Sequence, residues 1–342
     1  MQRRILAFVF CLGILLILGS TAAMAQYQLV NLDSNQVGTG MQTDPLLVNA
    51  WGLAYGPGNP FWVSDNKSGW ATLYDGSGNP QPLQVEIPTA SGAGPGTPTG
   101  IVYNGSQEFQ VQGWASVFLF VTLDGTISGW APQSDPNNAI IAVDNSKGGA
   151  VYTALAITNR PSGNLLYAVD NAHNKVDVYD GNFKLRGTFT DTTLPADFSA
   201  FGIQDLHGVL AVAFASLSGA SGGYIDAFSE SGILIKQFAH GDPLNQPWGF
   251  AIAPKNFGPL SNTLLVSNNT DTGTINAFNL ANGQFVGTIK DTNGNPIQID
   301  QLWGIEFGGG SANNGATNQL FFTAGPFNNL AGTFGVISLG QR

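Results

Sequence analysis

Three sets of residues in the 342-residue chain carry groups able to do chemistry. The first is a recurring pair of Asp or Asn placed after a short apolar run: Asp65 and Asn66, Asp170 and Asn171, Asn268 and Asn269. Oxygens of this kind suit a hard cation such as calcium, with Asp65 and Asp170 as the expected metal ligands. The second set is tryptophan before glycine, at Trp51, Trp248 and Trp303. Together with Asn66, Asn171, Asn268 and Asn269 these residues make the expected ligand-binding set, because an indole face beside amides suits a sugar. The third set is a departure from pattern. Six aligned positions hold Ala54, Val102, Ile157, Gln204, Ala251 and Glu306, so an otherwise apolar site carries one amide and one carboxylate. Glu306 is thereby the weak candidate for a catalytic base or metal ligand.

Each set has a plainer reading, and the plainer reading is preferred. Asp and Asn at the end of a strand fix turns by bonding to nearby backbone, and repetition is what a structural rule produces. A lone Glu reaches solvent or pairs with a lysine. Other motifs are weaker still. Gly219, Ser221 and Gly223 match a G-x-S-x-G pattern, but between two strands, whereas a nucleophile elbow needs a strand-to-helix turn. His173, His207 and His240 show no paired spacing of the zinc-binding type. Counting from Asp291, the twelfth residue is Leu302, where a calcium-binding EF-hand loop requires a bidentate Glu.

Repetition along the chain supplies the elements that must hold these residues. A strand written Gly-Thr-Ile-Asn-Ala-Phe at 273–278 recurs from positions 69, 125, 174, 223 and 332, giving steps of 56, 49, 49, 50 and 59 residues. That is the period of one four-stranded propeller blade, about 40–50 residues plus loops. The expectation is an all-β, six-bladed β-propeller of four-stranded blades. Each inner strand carries a small residue where strands converge on the central channel, as in Ala-Trp-Gly-Leu-Ala at 50–54. The last blade lacks an outer strand, and residues 27–32 alternate correctly to supply it, so the ring is expected to be closed by an N-terminal strand. Segments 91–98, 134–149 and 308–318 read as surface loops. The start of an inner strand and the end of the second strand share one face, which gathers the Trp, Asp and Asn residues, with Phe201, around one mouth of the channel. That mouth is the expected binding site.

Composition bounds the partners. Residues 1–25 hold Arg3 and Arg4, an uncharged apolar run over 5–18 and an Ala-Met-Ala cleavage pattern, which reads as a signal peptide. The one cysteine, Cys11, lies inside that run, so the mature protein is expected to use no thiol or disulfide chemistry. Without these residues the formal charge of −10 becomes −12, which excludes nucleic acid and anionic membrane surfaces as partners. Residues 26–342 are expected to form a single propeller domain with no membrane span after signal cleavage: a monomer, secreted or periplasmic.

The inner-strand Trp-Gly, the Val-Ser-Asp-Asn of residues 63–66 and the Gly-Thr-Ile-x-Ala-Phe strand resemble a bacterial family of secreted propellers related to NHL repeats. Some members of that family end in a PEP-CTERM sorting tail. The likeness covers nearly all of residues 26–342, but no hydrophobic helix follows residues 335–342, which argues for release rather than sorting. The family brings no established activity. More distantly the chain is similar to gluconolactonase-type six-bladed propellers, which are calcium-dependent, although none of their metal-ligand motifs aligns here. Two functions are therefore expected as alternatives. One is a secreted binding module that holds a glycan, a peptide or a cell-surface protein. The other is a calcium-dependent lactonase- or esterase-type hydrolase in which Glu306, Asp65 or Asp170 serves as ligand or base. Whether the protein is an enzyme is left open.

Overall fold

The computed structural model describes residues 26–340 apart from Ala93 and Pro161. The expected signal peptide lies outside the described residues. Six β-sheets radiate around a central axis, and in the first five the strands follow one another in chain order from the axis outward. Blade three shows the plan with Tyr152–Thr158, Leu165–Asp170, Lys175–Asp180 and Leu185–Phe189, all antiparallel. Its second strand is buried along both faces because side chains alternate. Tyr167 and Val169 pack toward blade four, while Leu166 and Ala168 pack toward blade two. The same logic repeats around the ring, with an apolar cluster at each of the six blade interfaces. No blade therefore buries its own core, and each depends on its neighbours.

Blade six is built from the two ends of the chain. Leu302–Phe307, Leu320–Ala324 and Thr333–Leu339 are joined by Tyr27–Ser34, whose register runs from Tyr27 opposite Leu339 to Ser34 opposite Thr333. A bulge between Asn31 and Asp33 bends this strand, and Gln42–Thr43 adds a short parallel edge beyond it. Tyr27 also reaches blade five, donating its hydroxyl to the Phe257 carbonyl at 2.7 Å and its N–H to Lys290.

Glycine on the inner strands answers a contact between blades. A Cβ added at Gly304 would lie 2.8 Å from the Trp51 carbonyl oxygen, and one at Gly249 would lie 2.8 Å from that of Trp303. In blade two the structure corrects the sequence reading. Segment 134–149 is more than a loop, because Ile140–Asp144 forms the outer strand of the blade. Its β-branched run of Ile140, Ile141 and Val143 favours extended backbone despite the surrounding Asn and Ser. A small hairpin, Gln110–Val111 with Trp114–Ala115, is inserted between the first two strands of the same blade.

Candidate functional site

Each inner strand starts at one end of the axis and finishes at the other, so the ring has two mouths of different chemistry. At the starting end the three tryptophans meet. Trp51 stacks on Trp303 with centroids 3.6 Å apart, and Trp248 stands edge-on to both, at 6.3 and 5.7 Å. Phe201 closes against Trp303 at 5.8 Å. Trp248 crosses the axis to donate its indole N–H to the Thr153 carbonyl of blade three at 3.2 Å. All three indoles are 3–8% exposed. The sequence grouped these residues at one mouth, and there they form a packed plug rather than an open platform for a sugar.

The asparagines around the plug hold blades together. Asn66 donates to the Pro98 carbonyl at 3.2 Å, Asn171 to Ala200 at 2.8 Å and Asn269 to Leu302 at 3.2 Å. Each bond joins the second strand of one blade to the start of the next blade's inner strand. Asn268 instead fixes the preceding loop, donating to Pro243 at 2.8 Å and accepting from the Asn245 N–H at 3.0 Å. Hydroxyls add further ties: Thr99 to Tyr152, Thr153 to Phe201 and Ser267 to Trp303, each to a carbonyl at 2.7–2.8 Å. The four amides expected to bind ligand are thus engaged with the protein's own backbone.

Asp65 and Asp170 each serve their own blade. Asp65 is fully buried and accepts the Thr72 hydroxyl at 2.7 Å, and Tyr74 links this group to Asp44 at 3.0 Å. Burial is the main cause that holds the Asp65 carboxyl well above its ordinary value, with the Thr72 bond opposing and the charges of Asp44 and Asp33 adding to it. Asp170 accepts from the Val151 N–H at 3.2 Å, lies 2.7 Å from His173 Nδ1, and has the Lys175 ammonium at 3.5 Å. Among the described residues no three His, Cys, Asp or Glu side chains come together so as to hold a metal ion.

The finishing end is open. A cavity of about 510 Å³ is lined there by the ends of inner strands and the turns that follow them, and a smaller space of about 40 Å³ continues below it toward Trp248. Glu306 and Gln204 line both spaces. Ala54, Val102 and Ile157, their aligned equivalents, line the larger one. Desolvation lifts the Glu306 carboxyl to about 7, opposed by the Phe307 N–H. Tyr55 lies near enough that the Glu306 charge, second to burial, helps push its hydroxyl to about 12. Asp205 also lines the cavity and is raised mainly by burial, although its Oδ1 accepts the Gly208 N–H at 2.8 Å.

The sequence reading singled out Glu306 and Gln204, which line this cavity, and expected binding at the tryptophan mouth. It missed Tyr55, Tyr103 and Asp205, which also line the cavity. The available signal was the same alignment read one residue further, where these three follow Ala54, Val102 and Gln204 directly.

Among solved structures, a Xanthomonas campestris gluconolactonase is similar with a TM-score of 0.57 and 14% identity, over 94% of this chain and 93% of that one. Virginiamycin B lyase from Staphylococcus aureus is similar with a TM-score of 0.55 and 14% identity, over 92% and 99%. At such identity these likenesses establish the propeller fold and nothing about activity. No protein-family model matches the chain. Two uncharacterised proteins of Acanthamoeba polyphaga mimivirus do match in sequence. R648 is 29% identical over 344 residues, 94% of this chain and 83% of its own length. L690 is 30% identical over 308 residues, 84% of this chain and 80% of its own length. These relatives are viral, where the motifs had pointed to a bacterial family. Identity at this level across most of both chains makes the protein a member of the family that includes mimivirus L690.

Proposed function

We propose that the protein is a binding propeller for a small extracellular molecule, and that its site is the Glu306 mouth rather than the tryptophan mouth. One observation carries this reading. At a single aligned position where the other blades are apolar, Glu306 and Gln204 face a cavity of about 510 Å³. Small-molecule sites typically measure about 300–1,000 Å³ and combine apolar walls with a few polar groups that orient the ligand. Leu53, Ile101, Ala156 and Ile157 provide the walls here. The test is a thermal-shift and calorimetric screen of sugars, lactones, amines and carboxylates against wild type, Glu306→Gln and Gln204→Leu. A hit weakened by both substitutions is expected. Hits that both variants retain at full strength would place binding elsewhere on the ring.

A second reading rests on the near-neutral pKa of Glu306. A carboxyl titrating at about 7 inside a cavity is matched to general acid–base work on a carbonyl substrate, as in lactone or ester hydrolysis. The same cavity does not suit the calcium ion that gluconolactonase-type propellers imply. Such an ion takes about six to eight oxygens, mostly carboxylate and carbonyl, whereas among the described residues the carboxylate and amide side chains of the lining are those of Glu306, Gln204 and Asp205, with one Asp205 oxygen already bonded to Gly208. No step is assigned to a metal. Rates on a lactone and ester panel, with and without chelator, decide the matter. Hydrolysis with a pH-rate limb near 7 that Glu306→Gln abolishes supports the second reading, and a rate abolished by chelator alone contradicts the metal-free form of it.

A further inference from the structure

We propose that the Glu306 mouth selects an organic ammonium cation, with Glu306 as its counter-ion and the rings of Tyr55 and Tyr103 as its walls. This rests on the reading of that mouth as the binding site and adds the charge and class of the ligand. Among the described residues the lining holds two carboxyl groups, Glu306 and Asp205, and two phenol rings, but no Lys, Arg or His. Among the described residues Glu306 has no ion-pair partner, in contrast to Asp170, Asp177 and Glu230, which pair with Lys175 or Arg160 at 2.6–3.5 Å. A half-buried carboxylate with no cation beside it gains most from a ligand that brings one. An ammonium group bearing carbon substituents fits better than a bare metal ion. It needs few oxygen ligands, its alkyl groups match Leu53, Ile101 and Ala156, and its charge is attracted to the faces of aromatic rings. Anionic ligands are rejected by the two acids, and uncharged ones leave Glu306 unpaired.

The test compares choline with 3,3-dimethyl-1-butanol, which has the same shape but a carbon in place of the ammonium nitrogen. Both are titrated calorimetrically at pH 8 into the full chain, beside a neutral lactone and a carboxylate. Choline is expected to bind at least about tenfold more tightly than the alcohol, the scale of a charge-assisted contact. Glu306→Gln is expected to remove that preference, and Tyr55→Leu to reduce it several-fold. Asp205→Asn, on a different blade, gives a second reading of the acidic lining should Glu306→Gln fail to fold. Equal binding of choline and the alcohol, or binding of the lactone alone, overturns the ammonium inference and leaves the pocket standing. Binding of none of the four overturns both.

Discussion

At the tryptophan mouth the repeated asparagines are bonded to the protein's own backbone. Asn66, Asn171 and Asn269 tie blade to blade, and the indoles stack across the axis. At the opposite mouth the inner strands end in an open cavity where Glu306 has no ion-pair partner among the described residues. The contrast follows from how a repeat array is held together. A residue type that recurs in several blades answers a need common to every blade, whereas a polar residue present in one blade only has no such need to meet. The rarer residue is therefore the better guide to a site.

The largest test of this contrast is Trp303→Ala. Removing a buried indole stacked at 3.6 Å on Trp51 should cost about 3–5 kcal/mol in urea unfolding. Binding at the Glu306 mouth should remain in the folded fraction. A loss below about 1 kcal/mol would mean that the indoles are a surface platform after all.

Next comes the dependence on pH. Burial raises Asp33 to about 6, Glu306 to about 7 and Asp226 to about 8, the last also through its contact with Asp191. The native state holds these protons while the unfolded chain releases them near pH 4, so stability is greatest in mild acid. It should fall as pH rises from about 4 toward 8 and then level off. Asp135, Asp144, Asp197 and Asp291, which bond to nearby N–H or hydroxyl groups, are shifted downward and act in the opposite sense, in more acidic solution. Denaturant midpoints measured between pH 5 and 8.5 check the slope. Asp226→Asn should flatten it, and stability that rises across this range would overturn the account.

Smaller changes are expected from the asparagines. Asn171→Ala and Asn269→Ala should each destabilise by about 1–2 kcal/mol, since each strands a backbone carbonyl at a blade interface. Lying in separate blades, the two losses should add. A marked shortfall in the double variant would show that the interfaces are coupled around the ring. Glu306→Gln acts in the opposite sense, by removing a half-buried charge. It should leave the melting temperature unchanged at pH 5 and raise it at pH 8.

Calcium provides the sharpest check with the least expected response. Asp65 and Asp170 are bound to Thr72 and to His173 with Lys175, so melts in EDTA and in millimolar calcium should coincide. A shift abolished by Asp65→Ala with Asp170→Ala would restore a cation site to the tryptophan mouth.

Local pattern decided a great deal. The strand at 273–278 and its five partners specify six blades because alternation and spacing follow from backbone geometry alone, and the inner-strand alignment singled out Glu306 and Gln204. Blade two was harder to read, since the strand Ile140–Asp144 is flanked by Asn and Ser that look like loop. The contact between Asp191, in the connection from blade three to blade four, and Asp226, on the third strand of blade four, left no sequence signal at all. Which mouth is open was likewise beyond the sequence. It depends on whether side chains from distant blades fill the axis, and the Trp248 indole finds its acceptor at Thr153, 95 residues away. Spacing along a strand is read from neighbours in the chain, but filling a channel is a property of six strands at once, and only the closed ring brings them together.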